Sequence, residues 1–205
     1  MKKNLIALSL GLPLCLLSFS SFASTKTENV DAKVTVQNSF TLQVSQTLDF
    51  GTVRAVAKSG TSATLSVPAN PNLQVITASP GGSDPAILDV LDSSSAQPAL
   101  LTIAEATKYT PLTIELPDVG TTPVELATDG PGTTPVFEIT AFTLYATVGQ
   151  NANQDITITS NQGTITTDGS GNAEFNLGAT LSTERVDAEY VDGEYTGTVS
   201  VTVSY

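Results

Sequence analysis

Histidine is absent from the 205-residue chain, and its one cysteine, Cys15, lies in an apolar stretch close to the start. With them go the commonest general base, the usual zinc ligands and the thiol nucleophile. Carboxylates, hydroxyls and phenols remain. The twenty Asp and Glu form many accidental pairs, and no spacing marks one pair as a general acid and base in a cleft. No nucleophile elbow, phosphate loop or zinc motif occurs. Asp168-Gly169-Ser170-Gly171-Asn172 has the composition of a calcium loop but lacks the bidentate glutamate at the distance an EF-hand requires. It reads as a hairpin turn. Glu184, Asp187, Glu189, Asp192 and Glu194 read as a solvated acidic loop. The sequence therefore predicts a protein that is not an enzyme, with no catalytic residue, no cofactor and no metal site.

The segments that must carry a binding or structural role begin after a short leader. Lys2 and Lys3 precede an apolar run over residues 5–17, and Ser21-Phe22-Ala23 supplies small residues where a signal peptidase reads. Residues 1–23 are predicted to be a cleaved secretory signal. The run falls short of the ~20 residues a bilayer span needs, so no membrane insertion of the mature chain is expected. Removing Cys15 with the signal leaves no internal disulfide, and removing Lys2 and Lys3 takes the formal charge from -12 to -14. Such a surface repels polyanions, which excludes nucleic acid and anionic lipid as natural partners.

The mature chain reads as short strands separated by punctuation. Val30, Ala32, Val34 and Val36 alternate with Asp31, Lys33, Thr35 and Gln37, and the same parity resumes after Asn38 with Phe40, Leu42, Val44, Leu48 and Phe50. One strand of that length would be unusual, so the pattern is split near Asn38 into an extension over 24–38 and a domain over 39–205. Gly51 is a predicted bend, Lys58-Ser59-Gly60-Thr61 and Asn70-Pro71 predicted turns, and residues 63–67, 73–78 and 112–116 predicted strands. Residues 86–91 and 99–104 fit a buried strand or a helical turn, and their β-rich surroundings favour strands. Val124 and Leu126 suggest a minor strand within the Gly, Pro and Thr-rich passage 118–135. Inward parity changes between Ile139 and Phe142, which requires a bulge near Ala141. Ile156 with Ile158, then Ile165, then Ala173, Phe175 and Leu177 mark three further short strands. In the last stretch Tyr195, Val199, Val201, Val203 and Tyr205 share one face while Thr and Ser fill the other. No internal repeat and no second core are expected.

Leu48-Asp49-Phe50-Gly51-Thr52-Val53, Leu112-Thr113-Ile114-Glu115-Leu116-Pro117, Gly178-Ala179-Thr180-Leu181 and the close from Gly193 to Tyr205 together resemble a family of secreted bacterial domains. That family is itself similar to spore-coat-U-type and other chaperone–usher pilins. Such pilins end in an alternating strand with an aromatic residue near the C-terminus and a glycine earlier, places that Tyr205 and Gly193 occupy here. The chain departs from them in having no disulfide near the first strand and no residue after the aromatic.

The resemblance implies an all-β, immunoglobulin-like (pilin-like) β-sandwich, a single domain that lacks one strand. A partner strand would seal the open seam beside Gly193, Tyr195, Val199, Val201, Val203 and Tyr205, with Val30, Ala32, Val34 and Val36 as the donor to a neighbour. Its partners would be a periplasmic chaperone and usher, together with other copies or related pilin-like subunits. The chain would be exported through the inner membrane, cross the periplasm and reach the cell surface. Two alternatives remain open on the sequence. Residues 30–36 could pair within their own domain to give a monomeric, self-complete sandwich, or the chain could be a surface-binding module or adhesin that recognises glycans through 118–135.

Overall fold

The computed structural model describes residues 25–36, 39–130 and 134–205, so the predicted signal segment and the split at Asn38 lie outside the described residues. The chain divides into two compact units, residues 1–35 and 36–205. In the first unit the described residues form no helix or strand, and Val30 and Val34 are 91% and 84% exposed.

Among the described residues of the second unit there is no helix, and every strand pairing is antiparallel. The strands are β1 (Thr41–Gln46), β2 (Thr52–Val56), β3 (Thr64–Val67), β4 (Ile76–Ala78), β5 (Ile87–Asp92), β6 (Ala99–Ala104), β7 (Pro111–Glu115), β8 (Val124–Leu126), β9 (Phe137–Val148), β10 (Gln154–Ile156), β11 (Gln162–Thr166), β12 (Ala173–Thr183) and β13 (Thr202–Ser204). The fold is thus all-β, with several antiparallel sheets, consistent with a β-sandwich.

Its spine is the pair β9 and β12, which pair over nearly their whole length with register shifts at Glu174/Phe175 and Thr180/Leu181. On the other side of β12, β6 pairs with residues 173–177 and β3 with residues 179–182. The handover falls at Gly178, where the chain leaving β3 crosses β12. A Cβ on Gly178 would meet the backbone of Val67, Pro68 and Ala69. The crossing is held at both ends of Ala69, whose N–H donates to Thr143 Oγ1 (3.0 Å) and whose carbonyl accepts from Asn176 Nδ2 (3.0 Å). Outside β9 lie β10 at one end and β8 at the other.

Each half of this sheet is covered by a smaller one. β1, β6, β12, β9 and β10 face the sheet β11-β7-β13 across a core centred on Phe175, Ile103, Leu112, Ile114 and Ile165. The other half packs on the pair β2-β5 around Leu65, Leu88, Phe137, Ile139 and Leu181. Two clusters of buried residues therefore replace the single core expected, because the crossing at Gly178 divides the sheet into halves that find separate covers. Leu48, Phe142 and Val199 pack against both.

The bulge expected near Ala141 is present. Thr180 pairs with Ala141 but Leu181 with Ile139, so Thr140 is the extra residue and inward parity passes from Ile139 to Phe142. Residues 86–91 and 99–104 are strands, as their surroundings favoured. Gly51 bends the chain at φ 80°, its N–H bonded to Asp49 Oδ1 at 2.7 Å.

Three expectations are corrected. The strand proposed for 73–78 is confined to Ile76–Ala78, because the Asn70-Pro71 turn holds as far as Leu73, whose N–H bonds to Asn70 O. The short strand proposed around Ala173, Phe175 and Leu177 runs on to Thr183, since Gly178 accommodates a crossing chain instead of ending the strand. The turn at 168–172 joins no hairpin, as β11 and β12 belong to different sheets. Its chemistry is that of a turn all the same. Asp168 Oδ1 accepts the N–H groups of Ser170 (2.7 Å) and Asn172 (2.9 Å), and these bonds hold the carboxyl below the usual aspartate range.

Candidate functional site

The C-terminal stretch does not form one ladder. Only Thr202–Ser204 pair as a strand, antiparallel to Thr113, Ile114 and Glu115 of β7, and upstream there is a single bridge from Thr196 to Ala127. Between the two, residues 197–201 have no strand assignment. Their side chains keep the alternation expected from the sequence, with Val199, Val201 and Val203 half-buried and Ser200, Thr202 and Ser204 exposed. Val199, Val201 and Val203 all pack on the core under β7.

Beside residues 197–201 runs an apolar groove of about 250 Å³. Its far wall is the segment from Val44 to Phe50, and its floor includes Leu101, Leu177 and Ile139 from β6, β12 and β9. No residue that lines it is charged. One wall continues the edge of one sheet and the other leads into the edge of a second. β1 is the outer strand beside β6, and β13 is the outer strand beside β7. At the end of the groove Phe40 meets Tyr205 edge to face with centroids 5.4 Å apart, and the Tyr205 hydroxyl accepts the Thr107 N–H at 3.2 Å. The two walls therefore run in opposite directions. Val44, 64% exposed, has an apolar side chain facing the opening.

Of the residues the sequence singled out for this edge, the structure brings Val199 and Val201 into the groove, Val203 onto the strand that continues it and Tyr205 to its end. Tyr195 and Gly193 are elsewhere. Tyr195 belongs to an aromatic cluster with Phe137 and Tyr190 in the other half, where Tyr190 stacks on Phe137 at 4.2 Å. The Tyr190 hydroxyl donates to Val136 O (2.9 Å) and accepts from Glu184 N (3.0 Å), and burial pushes its pKa up. Gly193 lies in the acidic loop that this cluster anchors. The solvated loop expected there is tied down by its tyrosines, and by Asp187 accepting the Ser59 N–H at 3.1 Å. Val36, the donor residue belonging to the second unit, is 70% exposed.

Sequence reasoning placed one wall of the groove and missed its floor. Leu101, Ile139 and Leu177 look like any inward residue of a buried strand, and no local signal distinguishes a core position roofed by a sheet from one left open.

Other readings of the chain find less support. In the passage 118–135, Val119, Val124 and Leu126 pack on the second cluster, and Asp118 accepts from Gly120 N and Thr121 Oγ1 in a local turn. Among the described residues no three His, Cys, Asp or Glu gather as metal ligands. Compared with known proteins, the chain matches no protein-family model and no curated protein.

Proposed function

We propose that this protein is a structural subunit of a bacterial surface fibre, an immunoglobulin-like, pilin-like sandwich whose open seam takes a β-strand from a neighbouring subunit. The observation that carries this reading is the uncharged groove between the Val44 to Phe50 wall and residues 197–201. An inserted strand would find apolar side chains beneath it and residues 197–201 beside it without a ladder partner. The chemistry required of the insert is an alternating, uncharged apolar face, and Val30, Ala32, Val34 and Val36 of another copy present one. Burying a valine contributes ~1.5–3 kcal/mol, so three of them with a ladder of backbone hydrogen bonds make a long-lived joint. Delivery by a periplasmic chaperone to an usher, with a signal over residues 1–23 directing export, completes the proposal.

The test is a chain with residues 30–36 deleted, compared with the parent by electron microscopy and light scattering. Polymers of the parent only, and restoration of a thermally stabilised groove in the deleted chain by a synthetic peptide of residues 29–37, are the expected results. Fibres from the deleted chain would overturn the reading. So would a parent chain that stays monomeric at high concentration and shows the same thermal midpoint with and without the peptide.

A further inference from the structure

A larger concavity, of about 590 Å³, opens in the half covered by β7, at the edges away from the groove. β10 is the outer strand beside β9, and β11 the outer strand beside β7, so these two edges flank it as β1 and β13 flank the groove. Here the lining is different in kind. It carries the carboxamides of Asn151, Gln154 and Gln162, the hydroxyls of Thr157 and Thr164, and one carboxylate, Asp155, above an apolar base that includes Ile156.

We propose that this concavity is a binding site for a neutral saccharide. Among the described residues, the side chains of Asn151, Gln154, Gln162, Thr157 and Thr164 make no hydrogen bond within the protein, while Asp155 uses only Oδ1, towards Asn70 Nδ2 at 3.3 Å. Carboxamides and hydroxyls both donate and accept, as sugar hydroxyls do, and a carboxylate can accept from two adjacent hydroxyls. No lysine or arginine lines the space, so an anionic ligand would meet Asp155 uncompensated and is disfavoured. The volume falls in the range of small-molecule sites.

The walls are held in place by backbone bonds. Thr159 and Gln162 exchange N–H to O bonds of 2.8 and 3.0 Å around Ser160 and Asn161, both at positive φ, and the Leu116 N–H bonds to Asn161 O at 2.9 Å. On the other side Asn153 N bonds to Ala146 O at 2.7 Å. A prearranged wall loses less freedom on binding. Under the base, Gly163 lets Ile156 and Leu144 close in, since a Cβ there would meet both side chains at 2.9 Å. Lying at edges away from the groove, the site stays open whether or not the groove is filled, and it does not depend on the strand-exchange reading.

Saturation-transfer NMR on the purified full chain, with galactose, mannose, lactose and maltose as neutral probes and sialyllactose as the anionic one, tests the site. Transfer to at least one neutral sugar is expected, with amide shifts confined to residues 151–165. Asp155→Ala with Gln162→Ala should weaken that sugar at least tenfold while the thermal midpoint stays at the parent value. A peptide of residues 29–37 should leave binding unchanged. No transfer to any neutral probe, stronger transfer to sialyllactose, shifts mapping elsewhere, or unaltered binding in the double variant would each overturn the assignment.

Discussion

Asp168 and Gly178 show how single residues hold this fold together. Asp168 draws two N–H groups of its own turn onto one oxygen, and local hydrogen bonds likewise lower Asp92, from the Ser94 N–H, and Asp118, from the Thr121 hydroxyl. A carboxyl whose folded pKa lies below its unfolded one stabilises the fold fully above the unfolded value, about 3.9, and ceases to as pH falls through the folded value. The thermal midpoint should therefore be flat from about pH 5 to about pH 9 and fall as acid is added below about pH 4, and it should fall again above about pH 10, where burial keeps Tyr190 protonated in the fold while the unfolded chain ionises. Asp168→Ala should lower it at neutral pH and differ less from the parent in strong acid, as a pH series of melting curves would read. Gly178→Val brings a side chain against the backbone of three consecutive residues, Val67 to Ala69, that cannot swing away. A loss of at least ~3 kcal/mol in urea unfolding is expected, at the upper end of overpacking costs.

Among the elements, the loop after β12 is the one whose behaviour departs most from its composition. Four of its five acidic residues are exposed, as a solvated loop requires, yet Tyr190 bonds at once to Val136 and to Glu184, one before β9 and one after β12. Tyr190→Phe keeps the stacking on Phe137 and removes both bonds. It should cost about 1–2 kcal/mol and speed amide exchange over 184–194 while leaving β6 and β7 protected. A strand with strict alternation, such as β3, was legible because its burial follows a period of two, whereas the apolar run of β6 fits a strand or a helical turn and reads as a strand only from its surroundings; the Thr140 bulge was legible because parity itself breaks there. The long β12 was not. A glycine in a strand marks either an end or a close approach, and only the position of Val67 to Ala69 decides between them. Likewise Tyr195 shares parity with Val199, but the bridge at Thr196 sends its ring into the other half. Parity says which side a residue takes, not which sheet covers it. The family resemblance implies an open seam and remains an expectation; the floor of the groove depended on which inward positions the covering sheets fail to reach.

At the level of the molecule, two clusters of buried residues share β9 and β12, and neither half has a spine of its own. Melting one half strips the ladder from the other, so residues 36–205 should unfold in one calorimetric transition whose van't Hoff and calorimetric enthalpies agree. Two separable peaks would mean that the halves are independent. The uncharged lining of the groove has a different consequence, because residues 36–205 keep only Arg54, Lys58, Lys108 and Arg185 against every Asp and Glu but Glu28 and Asp31. Two such bodies repel within a screening distance of about 8 Å at physiological salt. Residues 25–36 carry Lys26 and Lys33 against Glu28 and Asp31 and are neutral in sum. A segment without net charge can approach a body of the same sign as its own without meeting that repulsion.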